Sequence, residues 1–209
     1  MNVAIIGAGN VGGALARGLT RAGHTVSISS ANKETAGAVA AETGARAATT
    51  NREAVEGAEV VVLAVPHGAA KDVVDELAEA LDDKVVVDAT NQLNADYSSL
   101  ARWDVSGAEQ IQQRTRGRVV KAFNTVFASV MSTGAVDGVQ LDAFIAGDDE
   151  AANRTVADLA RSVGFHPIDV GGLEKARVLE GMALMNIGLQ MRYGWPWQTG
   201  FKLVGPMSS

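Results

Sequence analysis

The sequence predicts an α/β fold: a doubly wound, mostly parallel sheet carrying a small carboxy-terminal helical cap. Three observations predict it. The chain opens on an apolar run that meets Gly7-x-Gly9-x-x-Gly12 and continues at helical spacing through Val11, Ala14, Leu15, Leu19 and Ala22. Residues 59–65 are almost all β-branched or apolar, as a parallel strand buried on both faces requires. Beyond them, strand-length apolar runs alternate with amphipathic stretches, the pattern of strand–helix–strand units.

The opening unit is strand, tight turn and helix, and each glycine has its own reason. Gly7 permits the sharp turn, Gly9 lets a pyrophosphate approach the backbone, and Gly12 lets the helix pack closely on its strand. The amides that open the helix, at Asn10, Val11 and Gly12, face a site where the helix dipole favours negative charge. With Ala8, these residues form a candidate dinucleotide cradle of the Rossmann type; the bland alternative is a strand–helix turn that holds nothing.

A second strand is predicted over 25–29, then a helix over 33–43 stopped at Gly44. A short strand over 46–49 and a short helix over 51–56 follow. Pro66, His67 and Gly68 break the strand 59–65, and Val73, Val74, Leu77 and Leu81 give helical periodicity over 69–81. The fifth strand, 84–89, closes at Thr90-Asn91. Residues 92–107 are polar and irregular, with Tyr97 and Trp103 as the expected anchors. Strand 118–123 ends in Asn124-Thr125, and strand 142–146, helix 149–163 and strand 166–170 come after it. Leu173, Leu179, Ala183, Ile187 and Met191 mark a long closing helix, and residues 193–202 form an aromatic, glycine-punctuated tail. Residues 1–172 are thus expected to form a dinucleotide-binding body. Residues 173–209 are expected to be a helix and tail covering its cleft, not an independent domain.

A chain of 209 residues with 47% apolar content sustains one such domain with an appendage. A net charge of −6 without a basic run argues against nucleic acid as a partner. The absence of cysteine excludes disulfides, thiolate catalysis and cysteine-based metal sites, and no metal site is expected. No apolar stretch approaches the ~20 residues of a membrane span. A strand opening at residue 2 leaves no room for a leader, so a cytoplasmic location is expected.

In doubly wound sheets ligands sit beyond the carboxyl ends of the strands. The second strand normally ends in a carboxylate that accepts from the ribose 2′-hydroxyl of NAD. Here the place is held by Ser29, Ser30, Ala31, Asn32 and Lys33, with no carboxylate before Glu34. Two hydroxyls, an amide and an ammonium suit a 2′-phosphate, so NADP is expected over NAD. Ser30 or Asn32 can also cap the next helix, and the two roles are compatible. His24 and His166 read as structural, whereas His67 follows the fourth strand and is expected to face the cleft. Asn124 is a candidate to bind the nicotinamide carboxamide or its ribose. No base with an orienting partner is evident, so no catalytic acid or base is assigned. Hydride transfer between two bound rings needs orientation and exclusion of water instead. Met182, Met185 and Met191 read as core filler ahead of a lid. Trp195 and Trp197 read as a lid over a flat ring or as a contact with a partner chain.

The Gly-Ala-Gly-Asn-Val-Gly-Gly opening, Ser29-Ser30, Val65-Pro66, residues 119–125 and the ending 194–202 resemble the F-420-dependent NADP oxidoreductases. Lys121 to Thr125 is also similar to the oxidoreductase domain of the STEAP metalloreductases. The resemblance covers essentially the whole chain. It implies direct hydride transfer between NADP(H) and a deazaflavin (coenzyme F-420) or a flavin (FMN or FAD). Both rings would lie in one cleft, the second covered by the carboxy-terminal segment. By position it implies the pyrophosphate on residues 7–12 and the 2′-phosphate on Ser29, Ser30, Asn32 and Lys33. It places Val65, Pro66, His67, Ala122 and Asn124 around the nicotinamide and its ribose. Ala31 stands where archaeal members carry an arginine. An aromatic tail suits a homodimer. Two other functions remain open to the sequence: an NADP-dependent dehydrogenase or imine reductase of a small metabolite, and a non-catalytic dinucleotide-binding redox sensor.

Overall fold

The computed structural model describes residues 1–205; residues 206–209, the end of the expected carboxy-terminal segment, lie outside the described residues. The chain runs β1 (Asn2–Ile6), α1 (Asn10–Arg21), β2 (Thr25–Ser29), α2 (Lys33–Thr43), β3 (Arg46–Ala47) and α3 (Asn51–Val55). It continues through β4 (Val60–Leu63), α4 (His67–Leu77), β5 (Val85–Asp88), α5 (Gly107–Gln112) and β6 (Arg118–Lys121). Then come α6 (Ala128–Met131), the strands β7 (Ala135–Val136) and β8 (Val139–Gln140), β9 (Asp142–Gly147), α7 (Glu150–Val163), β10 (His166–Asp169) and α8 (Ala176–Tyr193).

Eight strands form one sheet in the order β3-β2-β1-β4-β5-β6-β9-β10. All neighbours are parallel except β6 and β9, which run antiparallel. The mostly parallel doubly wound sheet is therefore as predicted. Successive residues of β4 show why its sequence is continuously apolar: Val60 and Val62 enter one core layer, and Val61 and Leu63 enter the other. The first layer is covered by α1, α2 and α7, the second by α3, α4 and α5. The chain leaves β1 toward β2 and then returns to β4 on its other side. That reversal opens a crevice at the carboxyl ends of β1 and β4, the place where such sheets take ligands.

Several local expectations are corrected. The stretch 107–112 is helical, because Ser106 and Glu109 form a capping box. The short helix α6 and the β7–β8 hairpin are likewise elements that the sequence did not predict. Helix α4 begins at His67 and not at residue 69, with Pro66 (φ −54°) already preset for the turn into it. Tyr97 and Trp103, expected as anchors, are 53% and 61% exposed. The loop is held instead by buried Gln92 and Leu100, the latter bridged to Leu93. Met185 and Met191 are exposed and not core, and Met182 is only partly buried, against Phe144 and Leu179. Among the described residues, no helix is long and apolar enough to cross a membrane, and no group of three metal-ligating side chains converges.

Candidate functional site

The glycine loop shows a separate physical reason at each position. Gly7 has φ +111°, and a Cβ there would stand 2.4 Å from the Ala64 carbonyl oxygen. A Cβ on Gly12 would stand 1.8 Å from the Gly7 carbonyl oxygen, so only glycine lets α1 close on the strand end. A Cβ on Gly9 would meet nothing within 4 Å. Helix α1 has no side-chain cap and no acidic residue in its first turn. Its first backbone bond runs from the Gly13 amide to the Gly9 carbonyl at 2.8 Å, which leaves the amides of Asn10, Val11 and Gly12 open to an outside acceptor. Open space above Gly9 beside a row of unpaired amides fits a pyrophosphate.

Two pockets flank this loop and share Ala8 and Gly9 as a common wall. The smaller, about 480 Å³, lies between Ser30, Ala31 and Lys33 on one side and Val65 and Pro66 on the other. The larger, about 900 Å³, lies over the ends of β5 and β6 against Asn10, Asn91, Phe123, Asn124, Phe127 and Trp197. The residues predicted for the nicotinamide are thus divided: Val65 and Pro66 border the smaller pocket, Asn124 the larger. Ala122 is fully buried and its place on the cleft wall is taken by Phe123. Val11 lines the larger pocket, and Gly7 the smaller.

The polar group predicted for the 2′-phosphate is also divided. Ser30 and Lys33 reach the smaller pocket. Ser29 is buried, and its hydroxyl donates to Asn51 Oδ1 at 2.8 Å. The Asn32 side-chain oxygen caps α2, accepting from the amides of Glu34 and Thr35 at 3.0 and 3.2 Å. His67 lines neither pocket. Its Nδ1 lies 3.5 Å from Thr90 Oγ1, and its ring packs against Gly107. Burial pushes its pKa below the ordinary value, against the pull of Asp88 and Glu180, so the ring is neutral at pH 7.

Asn124 is buried at the floor of the larger pocket. Its Nδ2 donates to Asn91 Oδ1 at 2.9 Å, and Asn91 Nδ2 donates back to the Asn124 carbonyl at 3.0 Å. Its Oδ1 is buried without a protein donor. An orphaned acceptor at this depth fits an amide or hydroxyl hydrogen of a bound molecule.

The sequence carried no signal for one feature of the larger pocket. Among the described residues, five non-glycine positions adopt a left-handed backbone, and the three aromatic ones, Tyr97, Phe123 and Trp197 (φ +59°, +63° and +57°), all line this pocket. Such conformations cost roughly 1–3 kcal/mol each and persist where the surrounding structure imposes them.

Behind the Thr90–Asn91 turn lies a fully buried ion cluster. Lys121 Nζ donates to Asp88 Oδ2 at 2.8 Å, to Glu180 Oε1 at 2.8 Å and to the Thr90 carbonyl at 2.6 Å. Burial opposes the Lys121 charge, but the two carboxylates outweigh it and hold the amine protonated. Glu180 also accepts from the Gly107 amide (2.9 Å) and from Gln92 Nε2 (2.8 Å). One side chain of α8 therefore ties the closing helix to β6, to the start of α5 and to Gln92, and through Lys121 to β5.

Comparison with known proteins agrees with this architecture. The profile of the family described as "NADP oxidoreductase coenzyme F420-dependent" matches residues 2–92. The F420-dependent NADP reductase of Methanothermobacter marburgensis is 35% identical, over 92% of this chain and 93% of that protein. The metalloreductase STEAP3 of Rattus norvegicus is 33% identical over 87% of this chain, which spans 36% of that longer protein. A crystal structure from Arthrobacter sp. FB24, provisionally described as an F420-dependent NADP reductase, superposes with a TM-score of 0.89 at 29% identity, covering 98% of this chain and 100% of the other. The chain belongs to the F420-dependent NADP oxidoreductase family.

Proposed function

We propose that this protein transfers hydride directly between NADP(H) and coenzyme F-420, with residues 1–172 as the dinucleotide-binding body and the segment from residue 173 closing the cleft. The observation that carries the reading is the glycine loop standing as the shared wall of two pockets, so that one dinucleotide spans both. The amides of Asn10 to Gly12 bind the pyrophosphate. Ser30 and Lys33 hold the 2′-phosphate at the edge of the smaller pocket, whose Val65 and Pro66 face the adenosine. Asn124 Oδ1 accepts from the nicotinamide carboxamide and fixes the orientation of that ring. The nicotinamide and the deazaflavin supply the two carbons between which hydride moves. The chain's contribution is to align them and exclude water with Phe123, Phe127, Ile187 and Trp197. No carboxylate or imidazole lines the larger pocket among the described residues, which suits a transfer that needs no proton relay to a small hydroxy or imino substrate.

A flavin is the second candidate acceptor, favoured by the similarity to STEAP3. A cytoplasmic homodimer is the accompanying reading of the assembly, supported by the exposed Trp103, Val178 and Met185 around α8. The test is stopped-flow absorbance with NADPH against F-420, FMN or FAD. Bleaching of the deazaflavin band alone supports the proposal, and reduction of flavin alone replaces it with a flavin reductase. NADPH binding with neither ring reduced overturns it in favour of metabolite reduction or redox sensing.

A further inference from the structure

We propose that Gln190, Asn186 and Thr199 form a positioning device that holds Trp197 as a preformed wall for the second flat ring; this rests on the larger pocket being the site of hydride transfer. Asn186 and Gln190 lie one turn apart on α8 and are buried, although both are amides. They serve the tail rather than an apolar core. Gln190 Oε1 accepts from the Trp197 amide at 3.1 Å, and Gln190 Nε2 donates to Thr199 Oγ1 at 2.8 Å. The Thr199 hydroxyl donates in turn to Asn186 Oδ1 at 2.7 Å. From the other side of the tail, the Ser129 hydroxyl donates to the Trp197 carbonyl. Both backbone polar groups of Trp197 are therefore taken by side chains, one from α8 and one from α6.

That double hold accounts for the left-handed backbone of Trp197, which an unrestrained tryptophan would leave. The indole meets Phe127 edge to face, with centroids 5.3 Å apart and planes at 72°. It remains 45% exposed and borders the larger pocket. A large aromatic surface already fixed in place loses little freedom when a planar ring stacks on it. A buried amide network secures that fixity better than apolar packing, because a slipped register leaves buried donors and acceptors unpaired. The device borders the larger pocket alone, and no residue of the glycine loop or of the smaller pocket takes part in it. It therefore governs the second substrate and leaves dinucleotide binding alone.

Thr199→Val keeps the shape and removes the hydroxyl, and Thr199→Ser restores it. The assay is steady-state F-420 reduction by the full-length protein, with NADPH affinity measured separately by calorimetry. Losing one buried bond of this kind predicts a rise of about tenfold in the F-420 KM of Thr199→Val, with kcat within about threefold and NADPH Kd within about twofold of wild type. Thr199→Ser returns KM to within about twofold of wild type. Trp197→Leu, which leaves the network untouched, raises the same KM and covers the case of a poorly folded Thr199→Val. An unchanged KM in both Thr199→Val and Trp197→Leu overturns the proposal. Loss of NADPH binding in parallel with KM, or no rescue by serine, also overturns it by making the role merely structural. Wild-type protein that fails to reduce F-420 refutes the functional reading itself, a result distinct from active wild type with indifferent variants.

Discussion

Gly9 and Gly12 belong to one motif, yet the structure assigns them opposite kinds of necessity, and alanine at each separates the two. At Gly9 (φ −74°) an added methyl meets nothing within 4 Å, so the fold accepts it. The expected cost is that of a poorer N-cap, no more than about 1 kcal/mol. The methyl enters open space where Gly9 borders both pockets, and the proposed pyrophosphate on the neighbouring Asn10–Gly12 amides would have to share it. Displacing one or two charge-assisted hydrogen bonds costs roughly 1.5–3 kcal/mol each, so NADPH Kd should rise about a hundredfold or more. At Gly12 the methyl would stand 1.8 Å from the Gly7 carbonyl oxygen, a backbone atom with no room to yield. Alanine is the better helix former by about 1 kcal/mol, but the forced shift of loop or helix should cost about 1–3 kcal/mol or more and dominate. The paired measurements are urea unfolding and calorimetric titration with NADPH. Gly9→Ala should shift its midpoint by no more than a cost of about 1 kcal/mol implies and lose affinity, whereas Gly12→Ala should lose its midpoint first. Wild-type affinity in Gly9→Ala would refute the placement of the pyrophosphate, and a Gly12→Ala protein more stable than wild type would refute the packing argument.

Three further predictions concern charge. Lys33 sits at the edge of the smaller pocket with no ion-pair partner among the described residues, so Lys33→Glu should weaken NADPH binding about tenfold or more and leave NADH nearly unaffected; an unaltered ratio of the two affinities removes Lys33 from the 2′-phosphate. Lys121→Met strands Asp88 and Glu180 in the core and should lower the unfolding free energy by about 3–5 kcal/mol, with part recovered on adding Glu180→Gln; a midpoint equal to wild type would show that the cluster is not needed for stability. The Arg177 guanidinium, aided by the Ser106 amide and hydroxyl, holds the Glu109 carboxyl down at about 2 from an unfolded value of 4.5. A depressed carboxylate stabilises above its unfolded pKa and loses that contribution as pH falls toward its folded one. The α5–α8 contact should therefore weaken between about pH 4.5 and 2, by about 1–2 kcal/mol after solvent screening. Glu109→Gln should flatten that acid limb in melting curves, and an identical slope would exclude the pair as its source.

The sequence by itself determined most of the elements and the class of their assembly, though not α6 or the β7–β8 hairpin. Gly7, Gly9 and Gly12 mark a turn whose geometry is local, and the run from Val60 to Leu63 announces burial on both faces because a strand alternates sides at every residue. The missing carboxylate after β2 was legible for the same reason, since it is a matter of one position in a local motif. Even the helix at 107–112, passed over in the periodicity, was written in Ser106 and Glu109. Other features were decided only by the tertiary structure. Ser29 turns to Asn51. His67 turns away from the cleft, toward Gly107 and the carboxylates beyond Thr90. Asp88, Lys121 and Glu180 share one buried charge cluster, and Trp197 reaches the pocket of Phe123 and Asn124. In each case the partner lies tens of residues away, or the backbone takes a conformation that its residue type disfavours. Local periodicity carries information over a turn or a strand pair. Which side chain meets which across the sheet is fixed only when strand order and register bring distant segments together, and burial then penalises every polar group left without a partner.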